Sequence, residues 1–243
     1  KRSAYFDDYV RRYTDMPMLV MLKEHQLPSG ETVMVPDRYV RASDFNGKLG
    51  QANNPDWKTV AFNEDGRVVL PNGAIGFRWG PDGRADEGQW NLEAKEARNG
   101  KEVKLKLSVM EADAQGVGAS TQTAKVGFPY FGGIVSEHFP NNATGAGANN
   151  VLVRTVPVQT ISLGKEGEKR EALVATVFDL QVANYGVARG LPGELAAKDF
   201  NDDTPYTPAW QERITGTPRE QLITVARQFA DNADKTHGKS MVI

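Results

Sequence analysis

The chain has 243 residues, of which 40% are hydrophobic, enough for one large domain or two small ones around a true core, and this excludes a disordered tail. Its 29 basic and 31 acidic residues leave a formal net charge of −2, which excludes a general field for gathering nucleic acid or an anionic membrane. The absence of cysteine excludes disulfides, thiolate metal ligands, cysteine nucleophiles and an iron–sulfur cluster held by these residues, and no apolar run approaches the ~20 residues of a spanning helix.

Residues Ser3 to Tyr13 predict a helix, with Ser3 as cap, Asp7 and Asp8 early and Arg11 and Arg12 late, an order that complements the helix dipole. Its inner face would carry Tyr5, Phe6, Tyr9, Val10 and Tyr13. Met18 to Leu22 and Thr32 to Val35 read as strands joined through Pro28-Ser29-Gly30, a hairpin. From about Trp57 to Phe178 the pattern has period two. Thr59 to Phe62 and Arg67 to Leu70 flank the turn sequence Asn63-Glu64-Asp65-Gly66. Val103 to Val109 alternates, which predicts a strand with one packed face and its lysines in water or guarding an edge. Val151 to Leu163 and Ala172 to Phe178 are further strand candidates.

Towards the C-terminus, Thr207-Pro208-Ala209-Trp210 is a helix start, and Thr215-Gly216 ends the short helix that it opens. Thr217-Pro218-Arg219-Glu220 reads as a capping box with the helix starting at Pro218. Leu222, Val225, Ala226, Phe229, Ala230 and Ala233 recur at steps of three and four and would form one stripe against a core. The chain then halts in Ser240-Met241-Val242-Ile243, an apolar strand start without the neighbouring ladder a strand needs, so an internal fragment of a longer protein is expected. The fold class is α+β: an antiparallel β-rich middle with helical segments at both ends. Residues 1–56 would form an N-terminal helix and hairpin, 57–178 the β-rich segment, and 179–243 a helical segment ending in a strand.

Chemistry-bearing patterns are sparse. His25, His138 and His237 are too dispersed for ligand spacing. His237 reads as a turn residue near a helix C-terminus, and His138, after the aromatic and glycine-rich 128–133, as a packing residue. Gly145-Ala146-Gly147-Ala148-Asn149-Asn150 lacks the third glycine and following helix of a phosphate loop, so a flexible loop is expected. Asn142-Ala143-Thr144 matches a glycosylation acceptor pattern, to which no weight is given. Asp7 and Asp8 point about 100° apart on a helix, poor geometry for an acid–base pair. The run Lys165 to Glu171 reads as a solvated loop. Tyr185-Gly186 and the segment Gly76 to Gly80 could face a partner subunit or serve as core and turn. No catalytic or metal-ligating residue is therefore assigned, and cofactor-binding residues are left unassigned.

The stretch Tyr206 to Ala230 resembles molybdopterin-dependent oxidoreductases. Ser3 to Val20, Trp57 to Phe62, Gly76 to Gly80, Phe128 to Gly133 with Glu137-His138-Phe139, Val177-Phe178-Asp179-Leu180 and Ala183-Asn184-Tyr185-Gly186 narrow the likeness. These blocks, in family order across nearly the whole chain, resemble the catalytic alpha subunit of respiratory, membrane-bound nitrate reductase. The resemblance implies a segment excised from a larger molybdopterin oxidoreductase that reduces nitrate to nitrite in anaerobic respiration. It also implies a molybdenum–bis(molybdopterin guanine dinucleotide) centre and an iron–sulfur cluster in the parent, neither held by this segment, whose own activity is expected to be nil. The strand beginning at Ser240 would lead into a glycine-rich loop contacting one dinucleotide. The implied partners are an iron–sulfur beta subunit and a membrane cytochrome b gamma subunit, at the cytoplasmic face of the membrane. Two alternatives stay open: a related oxyanion oxidoreductase handling chlorate, selenate or nitrite oxidation, and a non-catalytic scaffold docking the beta subunit.

Overall fold

The computed structural model describes residues 7, 10–12, 14–27, 29–46, 48–49, 56–72, 95–113, 115–129, 151–164 and 169–236. Asp7, Val10, Arg11 and Arg12 are helical, and Arg11 pairs with Asp7 one turn back at 2.9 Å. The rest of the expected inner face, Tyr5, Phe6, Tyr9 and Tyr13, lies outside the described residues, as does Asp8.

Ten strands are described: β1 Leu19–Gln26, β2 Thr32–Tyr39, β3 Ala61–Phe62, β4 Val68–Val69, β5 Pro71–Asn72, β6 Lys95–Glu96, β7 Thr123–Pro129, β8 Val151–Pro157, β9 Gln159–Leu163 and β10 Arg170–Thr176. Three helices follow: α1 Val177–Asn184, α2 Pro208–Thr215 and α3 Arg219–Lys235. Six strands form the main sheet in the order β8-β7-β2-β1-β10-β9, so β1 and β2 share one sheet with strands from far along the chain. The fold is α+β. Most neighbours are antiparallel, and the β1–β2 hairpin forms as expected, but β2 meets β7 in parallel at Met34 and Val126, which makes the sheet mixed. Hairpin patterns reveal antiparallel neighbours; a parallel contact between strands some 90 residues apart carries no local signal.

Period-two geometry explains the layering. Successive side chains point to opposite faces, and the first half of β1 is buried on both. Leu19 and Met21 join Val40, Phe45, Val60, Phe62, Leu163 and Val174 in a core on one face, under the short β3–β4 and β5–β6 ladders. Val20 and Leu22 join Val126, Phe128, Val156, Ala175, Leu180 and Ala183 on the other, under α1. The expected turn at Asn63–Gly66 is present: Gly66 has φ +76°, a conformation that suits glycine, and β3 pairs with β4.

Five expectations need correction. Val103 to Val109 is not a strand: Leu105 makes an isolated bridge to Asn63, and residues 107–110 turn away. Lys106 does not meet water but is buried, and its ammonium donates to the carbonyls of Glu111 (2.6 Å) and Gly118 (2.8 Å). Two backbone acceptors hold it, which the alternation of the segment does not reveal. The strand over Ala172 to Phe178 ends at Thr176, where α1 begins, because the Thr176 hydroxyl accepts from the Asp179 N–H and closes a first helical turn.

The remaining two corrections concern α3. It starts at Arg219 with Pro218 as N-cap and no side-chain cap hydrogen bond, so the box of Thr217 and Glu220 does not form. Its apolar stripe is not in the core either: Leu222, Val225 and Phe229 are 36%, 62% and 42% exposed, and Ala233 is the buried residue of the helix. By contrast α2 is built as expected, with Thr207 accepting from Trp210 N–H and Gly216 in the left-handed conformation at the C-cap.

Candidate functional site

The most elaborate polar construction lies where the chain leaves α1 and runs over the edge of the sheet to α2. Thr176 caps α1 and donates to the Leu107 carbonyl at 2.6 Å. Asp179, fully buried one turn on, accepts from the Val109 N–H at 2.9 Å and from the Arg189 guanidinium at 2.5 Å. Arg189 also donates to Ser108 Oγ at 2.8 Å and lies 5.6 Å over the Phe178 ring. A buried carboxylate is tolerable only when paired and hydrogen-bonded, and Asp179 meets both conditions. The Glu194 carboxylate gathers the N–H groups of Arg189, Gly190 and Leu191, which fixes the next turn.

Arg154 extends this support from β8, the edge strand. It is 2% exposed, and its guanidinium donates to the carbonyls of Leu195 at 3.3 Å and Pro205 at 3.2 Å. Burial pushes it below the usual guanidinium range, to about 10, with Tyr206 and Asp202 acting the other way, so it remains charged at neutral pH. Gly186 makes the room: at φ +72° it has no Cβ, and one would stand 2.8 Å from an Arg154 terminal nitrogen. Next to it on β8, Thr155 donates to the Gly193 carbonyl and accepts from the Leu195 N–H.

These supports present an aromatic groove between the link from α1 to α2 (residues 185–207), α2 and α3, with a cavity volume of about 600 Å³ lined among others by Tyr185, Phe200, Tyr206, Trp210, Leu222 and Ala226. Tyr206 adopts φ +73°, rare outside glycine. Its ring meets Tyr185 edge-on at 5.9 Å and Trp210 at 5.5 Å. The Arg219 guanidinium donates to Glu212 and ties α3 to α2.

The residues weighed from sequence do not converge. His25 lies exposed on β1. His138, His237, the 142–144 and 145–150 segments, Gly76 to Gly80 and Ser240 to Ile243 lie outside the described residues. Asp7 serves an ion pair with Arg11, whose guanidinium also binds Glu111; burial opposes its charge, but the two carboxylates outweigh it and raise its pKa. Tyr185 faces the groove and Gly186 the buried guanidinium. Among the described residues no three His, Asp or Glu side chains come together as a metal site would require. Sequence reasoning missed Arg154 and the Asp179–Arg189 pair. Only Thr176-x-x-Asp179, a capping pattern, hinted at the latter.

Comparison with known proteins shows what the chain is similar to. The chain is 49% identical over 241 residues to respiratory nitrate reductase 1 alpha chain of Escherichia coli, covering 99% of this chain and 17% of that one. It resembles nitrate reductase alpha chains from end to end. The alpha chain of the Bradyrhizobium respiratory nitrate reductase is 39% identical over 243 residues, and the nitrate reductase alpha chain of Bacillus subtilis 34% identical over 244. The chain spans about a sixth of the length of these nitrate reductase relatives, 17% to 20% of each. No family model matches it.

Proposed function

We propose that this chain is a framework segment of a nitrate reductase alpha subunit, an oxidoreductase that reduces nitrate to nitrite in anaerobic respiration. The observation that carries the reading is the uninterrupted likeness over 99% of the chain at 49% identity. In this reading the parent works at a molybdenum–bis(molybdopterin guanine dinucleotide) centre and receives electrons through an iron–sulfur beta subunit and a cytochrome b gamma subunit at the cytoplasmic face of the membrane. In this reading the direct metal ligands come from elsewhere in the parent: the sequence has no cysteine, and the fully buried acid Asp179 is already committed to Arg189 and the Val109 N–H. The contribution of the described residues is shape. The six-stranded sheet and its two cores carry the link from α1 to α2, which Arg154, Thr155, Asp179 and Glu194 hold in place. Among the described residues no helix is long and apolar enough to cross a membrane.

The test is a nitrate assay with reduced viologen, together with molybdenum analysis, on the full-length alpha subunit carrying this sequence and on the 243-residue chain alone. The expected result is nitrate turnover by the former, and neither metal nor turnover in the latter. Turnover by the 243-residue chain would overturn the framework role, and a full-length subunit that reduces another oxyanion but not nitrate would overturn the substrate.

A further inference from the structure

The exposed stripe of α3 and the aromatic groove beside it form one continuous apolar surface. Leu222 and Ala226 belong to both, and Val225 and Phe229 extend it along the helix. We propose that this surface is an intramolecular docking face, covered by polypeptide of the same alpha chain from outside the 243 residues, and not by a second copy or by another subunit. The proposal rests on the reading of the chain as part of a nitrate reductase alpha subunit.

Three observations select that occupant. More than four-fifths of the Escherichia coli relative lies outside the matched stretch, which covers 17% of it, so ample chain exists to supply the cover. The face has the make-up of a permanent core: Leu222, Val225 and Phe229 flanked by Ala226 and Ala230 on the helix, with aromatic rings opposite. Permanent interfaces are more apolar than transient ones, and a contiguous exposed apolar surface commonly marks an interaction site. The groove wall is also built and held before anything docks, since Arg154 fixes the carbonyls of Leu195 and Pro205 on either side of Phe200 and leads the chain into Tyr206. A pre-formed aromatic wall beside an amphipathic helix suits a second helix or extended segment laying its own apolar side chains into the groove.

Single cysteines introduced into the full-length alpha subunit test this, with each labelled site read by peptide mass spectrometry. Val225→Cys and Phe229→Cys report on the face, and Thr224→Cys, exposed on the far side of α3, is the control. The expected result is labelling by a maleimide at least ~10-fold slower at positions 225 and 229 than at 224 in the native alpha subunit alone, equalising on denaturation. Equal labelling at all three positions overturns the proposal. So does protection that appears only when the other subunits are added, or protection that fades on dilution, which would make the cover a subunit or a second copy. Hydrogen exchange over Arg219–Lys235 in the unsubstituted subunit gives a second reading should a variant misfold: exchange as slow as in β1 is expected, and exchange as fast as in exposed loops overturns the proposal. Nitrate turnover, measured separately, shows whether the functional reading itself has failed.

Discussion

At the scale of single residues, the structure concentrates its cost and its specificity in buried charge. Arg154 donates to the carbonyls of Leu195 and Pro205, so its removal leaves both acceptors stranded. Arg154→Ala is expected to destabilise the chain by about 2–5 kcal/mol, read as a lower urea midpoint. Arg154→Lys should recover only part of this, because an ammonium cannot reach both acceptors as the forked guanidinium does. Asp44 supplies a pH dependence. Burial alone would raise its pKa, but a bidentate bond from Arg38, the Arg41 N–H and nearby Arg170 outweigh that and lower it from the ordinary 3.8. A carboxylate whose pKa is lower folded than unfolded adds stability above its unfolded value, and that stability is lost as pH falls through the folded value. Wild type should therefore lose stability more steeply than Asp44→Asn below about pH 4, which urea titrations across that range would measure.

At the scale of elements, the two threonine–proline helix starts are alike in sequence and unlike in structure. Thr207 caps α2 through Trp210 N–H and also donates to the carbonyls of Asp202 and Thr204, whereas Thr217 makes no cap bond to α3. Thr207→Ala is expected to cost about 1–2 kcal/mol and Thr217→Ala to fall within ~0.5 kcal/mol of wild type, by denaturant midpoints. The difference arises because the chain enters α2 from a fixed turn at Thr204 to Tyr206, whereas the three-residue link of Gly216, Thr217 and Pro218 puts Pro218, not Thr217, at the α3 cap position. The same limit on local reading explains Val103 to Val109. Alternation announced a strand, but the ladder partners that a strand needs are absent beyond the bridges at Glu102 and Leu105, and Lys106 found two carbonyls instead.

At the scale of the whole molecule, stability is uneven. β1 is packed on both faces, while α3 touches the rest chiefly through α2. Hydrogen exchange on the 243-residue chain should accordingly find the slowest amides in β1 and β10 and fast exchange along α3. Covering Leu222, Val225 and Phe229 would add roughly 1.5–3 kcal/mol for each side chain fully buried, so α3 is the element whose protection gains most in a longer chain. A chain that protects α3 as well as β1 without its surroundings would contradict the exposure seen here.

The hairpins, the α2 start with its glycine stop, the absence of thiolate chemistry and the likeness to nitrate reductase alpha chains were all legible in the amino-acid order, because each rests on residues close together or on side-chain type alone. Tertiary structure alone decided the parallel contact of β2 with β7, the burial of Lys106 and Arg154, the pairing of Asp179 with Arg189 and the exposure of the α3 stripe. Those outcomes depend on which distant backbone groups come within hydrogen-bond reach and on whether an apolar face finds another to cover it, and a periodic pattern shows that a face exists without showing what, if anything, lies against it.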